Sequence, residues 1–148
     1  MTENNIRIKN RKASYQYYII DKFIAGLQLN GTEIKSIRNG KVSINEAFCV
    51  FIGDELFVRD MHIAEYDHGN IYNHEPKRDR KLLLNRKELK KLQGKVVEKG
   101  HTIVPTVLFV NESGLAKLEI ALAKGKHFYD KRDDIKKRDN LRDLERQL

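Results

Sequence analysis

TIVPTVLFVNESGLAKLEIALA, residues 102–123, is the stretch on which the architecture turns. Its apolar arms, 102–110 and 115–123, flank the turn formers Asn111-Glu112-Ser113-Gly114, the pattern of a β-hairpin. In the second arm Leu118, Ile120 and Leu122 alternate with Lys117, Glu119 and Ala121. One face of that strand is therefore apolar, and the other offers Lys117 to solvent or to a ligand. Upstream, 46–52 and 56–63 flank Gly53-Asp54 as a second hairpin, and 15–29 is a longer β-type segment rich in Tyr, Ile and Phe. Two short helices interrupt these strands. One covers 32–38, between Gly31 and Asn39-Gly40. The other starts at an Asn85 cap with Glu88 three residues on, carries Leu89 and Leu92, and ends at Gly94.

Five or six short strands with two small helices in about 115 residues predict a mainly β chain, an antiparallel barrel of the OB-fold type. The whole sequence has 148 residues, 29 of them Lys or Arg and 21 Asp or Glu, for a net charge of +8. That length suits one domain plus an appendage. Residues 1–123 read as the barrel. Of the 25 residues in 124–148, 15 are charged, and the aliphatic side chains there are only Ile135, Leu141, Leu144 and Leu148. So few apolar groups cannot offset the entropy of ordering, and this basic C-terminal tail is expected to be disordered when free.

The longest apolar run, 47–52, is far short of the roughly 20 residues of a membrane span. The first residues show no basic stretch followed by an apolar block, so a cytoplasmic location is expected and no membrane partner. The lone Cys49 excludes an internal disulfide and sits in an apolar strand, the setting of an inert core thiol. Histidines 62, 68, 74, 101 and 127 lack metal-site spacing, so no metal or other cofactor is expected. Without GxGxxG, GxxxxGK[ST] or GxSxG, an enzyme has little support. What stands out is a mixture of cations and aromatics: Arg7, Lys9, Arg11 and Lys12 beside Tyr15, Tyr17 and Tyr18, and Lys124, Lys126 and His127 beside Phe128, Tyr129, Lys131 and Arg132. Cations neutralise phosphates and aromatic faces stack on unpaired bases, so the mixture suits structured RNA. The plain alternative is solvated lysines next to core tyrosines.

A series of motifs occurs in order along the chain: Asn10-Arg11-Lys12-Ala13, Gly31-Thr32-Glu33-Ile34-Lys35-Ser36, Arg38-Asn39-Gly40-Lys41, Gly69-Asn70, Arg80-Lys81-Leu82-Leu83-Leu84, Lys99-Gly100-His101-Thr102, and Ala123-Lys124-Gly125-Lys126 followed by Tyr129-Asp130-Lys131-Arg132. In these the chain resembles the SmpB, or SsrA-binding protein, family. The resemblance implies an OB-type barrel that binds the tRNA-like part of transfer-messenger RNA and delivers it to stalled 70S ribosomes. It further implies that Asn10, Lys12, Tyr17, Glu33, Lys35, Leu83 and Lys117 lie on or support the RNA surface, joined by Lys124 and Lys126. It puts Tyr129, Asp130, Lys131 and Arg132 at the small-subunit decoding site, with the chain from Asp133 onward helical along the message channel.

Read by their chemistry alone, Lys12, Lys35 and Lys117 suit phosphates and Tyr17 a stacked base. Glu33 is either a base-edge acceptor or the internal partner of a lysine, and Leu83 either core or contact. Thr32 and Glu33 also fit the first turn of a helix. Two positions depart from the family pattern: Ile24 stands where many members carry Glu, and His127 where a lysine is usual. An OB-fold protein resident on ribosomal RNA would explain the charge equally well. An RNA-processing enzyme using Glu33 or Asp60 with a histidine is a further reading that no spacing demands.

Overall fold

Turns at 53–54 and 111–114 lay down the two hairpins from which most of the barrel is built. The structure, a computed structural model, describes residues 6–66 and 73–125. Strands β4 (Phe48–Ile52) and β5 (Glu55–Arg59) pair antiparallel around Gly53, whose φ of 65° favours glycine. Strands β8 (Thr102–Val110) and β9 (Ala116–Gly125) pair from Thr102↔Ala123 to Val110↔Ala116. Their turn is held by Asn111, whose Oδ1 accepts the amides of Ser113 and Leu115 at 3.0 and 2.9 Å. The remaining elements are β1 (Arg7–Lys9), α1 (Ala13–Gln16), β2 (Tyr17–Leu27), α2 (Gly31–Arg38), β3 (Val42–Ser43), β6 (His62–Ile63), β7 (Arg80–Leu83) and α3 (Arg86–Lys99).

In the main sheet the strands run β8-β4-β5-β7-β2-β9, and β9 pairs back onto β8, so six antiparallel strands close into a ring. β1 adds to β8 beyond the point where β4 leaves it: Cys49 pairs with Ile103, and Lys9 with Val107. A small separate sheet joins β3 and β6. The chain is mainly β with short helices, an OB-type barrel, as the hairpin pattern predicts.

The apolar side of β9 faces inward: Leu118 and Ile120 are fully buried and Leu122 nearly so, together with Ala25, Leu56, Val58, Leu82, Ile103 and Leu108. Cys49 belongs to this core, where burial pushes its thiol well above the ordinary range. The helices stop the two ends of the barrel. α2 contributes Ile37, and Arg38 Nη2 donates to the Gly114 carbonyl at 3.1 Å. α3 contributes Leu89 and Leu92 at the opposite end, where Gln93 donates to the Gly53 carbonyl at 3.3 Å.

Three local features differ from the sequence reading. The segment 56–63 is two strands, because Asp60 adopts φ 61° and turns the chain between β5 and β6. Residues 13–16 are helical, so the long strand begins at Tyr17. α3 runs through Gly94 and ends at Gly100, which has φ 68° and donates its amide to Val96 O at 3.1 Å. A helix-interior glycine costs about 1 kcal/mol, which the packing of Leu92 and Val96 on the core outweighs.

A buried polar cluster fastens α2 to the segment that leads into β7. Asn30 and Glu33 form a reciprocal capping box, in which Glu33 Oε1 accepts the Asn30 amide at 2.8 Å. Glu33 is fully buried and is the partner of two arginines. Arg78 donates to both carboxylate oxygens at 2.8 Å, and Arg80 Nε donates to Oε2 at 2.8 Å. The wholly buried Arg80 also donates to the carbonyls of Met61, Glu75 and Pro76. Beside it, His74 Nε2 lies 2.9 Å from the Ile63 carbonyl and so carries the proton. Its Nδ1 lies within hydrogen-bond distance of Thr32 Oγ1, at 2.8 Å. Of the two roles open to Glu33 from its chemistry, the structure selects the internal one, with arginines in place of a lysine.

Burial on its own would push the Glu33 carboxyl up. Hydrogen bonds from Arg78, the Asn30 amide and Arg80, with the Arg80 charge, outweigh it and hold the group below the usual carboxylate range. A carboxyl lowered in the folded state contributes stability above its unfolded pKa, and that contribution is lost as pH falls through the folded value. Glu33→Gln is expected to cost about 3–5 kcal/mol at neutral pH, because it leaves Arg80 buried without its charge partner. Urea melts at stepped pH check this: the gap between parent and variant should narrow as the medium is acidified below the ordinary carboxylate range.

Candidate nucleic-acid interface

Residues paired across antiparallel strands share a face of the sheet, so the register of β9 with its neighbours defines the outer surface. Lys117 pairs with Gly26 on β2 and Phe109 on β8. Glu119 pairs with Ile24 and Val107, and Ala121 with Lys22 and Val104. Gly26 in turn pairs with Leu83 on β7, and Phe109 with Arg7 on β1. A Cβ at Gly26 would lie 3.4 Å from that of Leu83, so Leu83 spreads across the space that glycine leaves. Leu83 is 48% exposed while Leu82 beside it is 1% exposed, which resolves Leu83 as surface. With the half-exposed Ile24 it forms an apolar centre. Arg7, its guanidinium 5.9 Å from the Phe109 ring centroid, borders that centre with Lys9, Lys22 and Lys117. The anion in the patch, Glu119, is occupied: it accepts from Thr106 Oγ1 at 2.7 Å and lies 3.6 Å from the Lys22 ammonium.

Next to this face lies a groove of about 500 Å³, lined among others by Lys9, Arg11, Tyr15, Lys22, Thr106 and Glu119. Tyr15 projects over it, 78% exposed. Cations around an apolar and aromatic surface can neutralise phosphates while the rings and aliphatic groups meet sugars and bases.

The residues singled out from the sequence occupy distinct places. Asn10 is a brace: Nδ2 donates to the Pro105 carbonyl at 2.8 Å, and Oδ1 accepts the amides of Lys12 and Ala13 at 3.1 and 3.2 Å. It fixes the turn that presents Arg11 and Lys12. Lys12 is exposed and pairs with Glu46. Tyr17 is half-buried against Val104, Ala121 and Ala123. The Lys35 ammonium stands 5.5 Å from the Tyr66 ring centroid on the exposed side of α2. Glu33 is internal. Lys117 is half-exposed on the outer face. Lys124 lies opposite Tyr18 near the end of β9, seven residues from Lys117 and hence on the other face of the strand. Lys126, His127, Tyr129, Asp130, Lys131 and Arg132 lie outside the described residues.

No local sequence pattern marks Lys22, Phe109 or Tyr66 as part of this surface. Lys22 is five residues from Tyr17, which in a regular strand would put it on the opposite face. The bulge between Ile19 and Asp21 puts both on the outside. Among the described residues no group of His, Cys, Asp and Glu is arranged to hold a metal ion, and no helix is long and apolar enough to cross a membrane.

A family model described as "SmpB protein" matches residues 7–148. An SsrA-binding protein of Flavobacterium psychrophilum is 59% identical over 141 residues, covering 95% of this chain and 94% of that protein. One of Christiangramia forsetii is 55% identical over 144 residues, covering 97% and 92%. Among solved structures, one described as "tmRNA-SmpB: a journey to the center of the bacterial ribosome" superposes with a TM-score of 0.69 at 44% identity, covering 82% of this chain and 85% of the other. A match over nearly the whole length, at this identity and with the same barrel, establishes that the chain belongs to the SmpB protein family.

Proposed function

We propose that this protein is an RNA-binding factor of trans-translation, whose barrel binds the tRNA-like part of transfer-messenger RNA and brings it to stalled 70S ribosomes. The observation that carries this reading is the cation-rimmed apolar face of β9, β2 and β7 in a chain of this family. Lys117 and its neighbours Arg7, Lys9 and Lys22 neutralise phosphates, and Ile24 and Leu83 pack against sugars and base faces. Lys12 and Lys35 add cations beyond the sheet. Tyr17 offers the outer side of its ring, Asn10 braces the turn, and Glu33 acts through the placement of α2. Ile24, half-exposed, adds apolar contact area to this face.

The division of labour is part of the same reading. The sequence boundary at 123 moves outward, since Lys124 and Gly125 pair with Tyr18 and Tyr17 as the last residues of β9. The barrel through Gly125 binds RNA, Lys124 and Lys126 extend that basic surface, and the chain beyond them is the tail that orders in the empty decoding site and message channel. There Tyr129 stacks, Lys131 and Arg132 hold phosphates or base edges, and Asp130 lies between them. The role is that of an adaptor and no bond is made or broken, which sets it apart from an RNA-processing enzyme. A partner that is the 70S ribosome locates the protein in the cytoplasm.

Lys117→Ala should weaken binding of the tRNA-like RNA about tenfold, roughly 1.4 kcal/mol, and make the slope of log affinity against log salt shallower by about one. Equal binding by parent and variant across several salt concentrations would show that the outer face of β9 is not the interface. Because β9 ends at Gly125, a chain cut after Lys126 should keep the barrel's melting temperature and its RNA affinity yet fail to tag peptides on stalled ribosomes. Normal tagging by the cut chain refutes the role given to the tail. Sequencing the RNA that co-purifies with the intact protein separates this reading from a ribosomal-RNA resident: one tRNA-like species is expected, not ribosomal RNA.

A further inference from the structure

Helix α3 carries a charge pattern that the sheet face does not use. Arg86, Lys87, Lys90, Lys91 and Lys95 are all exposed, against Glu88 as the acid within residues 86–97. Two of the cations have structural work. Arg86 lies 3.8 Å from Glu55, and Lys91 lies 3.7 Å from Asp21 and over the Phe23 ring. Lys87, Lys90 and Lys95 make no ion pair among the described residues. Lys87, Lys91 and Lys95 recur every fourth residue, a rise of about 6 Å per step. Like charges at that spacing repel one another and weaken a helix.

Gly94 adds a second cost within the same surface. A Cβ at this position would meet nothing within 4 Å, so the glycine serves no packing need, and the helix cap is made by Gly100 instead. Alanine there would favour the helix. What an exposed glycine between Lys90, Lys91 and Lys95 does provide is bare backbone, onto which an extended anionic chain can settle closely.

The placement of α3 indicates which partner it meets. The helix stops the end of the barrel at which Thr102 pairs with Ala123, two residues before β9 ends at Gly125. The rest of the chain therefore leaves from this end. Lys117, with Leu83 across Gly26, lies eight residues back along β9, about 27 Å away at the rise of an extended strand.

We propose that α3 is a second RNA-docking surface, whose Lys87, Lys90 and Lys95, around Gly94, seat on the phosphodiester backbone of ribosomal RNA bordering the site that the tail enters. This rests on the ribosomal reading above and adds a surface to it. The tRNA-like RNA on the sheet and ribosomal RNA on α3 then bind without competing.

The test uses the triple variant Lys87→Ala/Lys90→Ala/Lys95→Ala, which leaves the structural Lys91 in place and introduces good helix formers. Affinity is measured across salt concentrations for two probes: the isolated tRNA-like RNA, and 70S ribosomes on a message lacking a stop codon with that RNA saturating. The expected result is RNA affinity within about threefold of the parent's. Ribosome affinity should fall at least about tenfold, with a log–log salt slope shallower by about two to three. The corresponding triple arginine variant should restore both. Gly94→Ala should raise the melting temperature and still weaken ribosome binding. Unchanged ribosome affinity and slope in the alanine variant overturn the proposal, as does equal loss toward both probes. A parent protein that binds neither probe refutes instead the reading on which the proposal rests.

Discussion

A carboxylate taken wholly out of water must be neutralised where it sits, and Glu33 meets that requirement with two arginines drawn from more than forty residues away. Through this contact α2, the turn after β5 and the run into β7 become one unit. Arg80 binds the carbonyls of Met61, Glu75 and Pro76 as well as the acid. The same helix stops one end of the barrel with Ile37 and displays Lys35 outward. Glu33 thus acts through architecture: it orients the helix and is wholly buried.

The parts of the fold legible in the sequence are those governed by neighbours within a few residues. The alternation through Leu118, Ile120 and Leu122 and the turn chemistry at 53–54 and 111–114 are local, and both hairpins form, the first with a shorter second arm because Asp60 turns the chain out of β5. The C-terminal boundary of α3 is not legible locally, because Gly94 and Gly100 look alike as helix terminators. Only the apolar side chain of Val96, partly buried against the core, shows that the helix goes on. The outer face was partly hidden by the bulge near Ile20, which shifts the parity of β2 so that Tyr17 and Lys22 look outward together. A run of three leucines does not assign Leu83, since which of them turns inward depends on how β7 pairs with β5 and β2. The arginine partners of Glu33 were invisible because no local pattern records a separation of 45 or 47 residues.

The basic excess of the chain is therefore not a uniform coat. On the β1, β2 and β9 side it surrounds exposed apolar groups, a composition suited to bases and sugars as well as phosphates. On α3 it is a helical row with bare backbone between its members, suited to phosphates alone. Lys117 and Lys124, close in sequence and similar in chemistry, lie on opposite faces of one strand and near its two ends.

Closure of the ring has a mechanical consequence. β9 is hydrogen-bonded along nearly its whole length to β2 on one side and to β8 on the other. A pull on the chain beyond Gly125 runs along the strand axis and loads both ladders in shear, so many bonds share the force at once and none can be peeled away singly. The barrel is an anchor for whatever grips that end of the chain, and tension applied there reaches the opposite, Lys117 end of the molecule with little give.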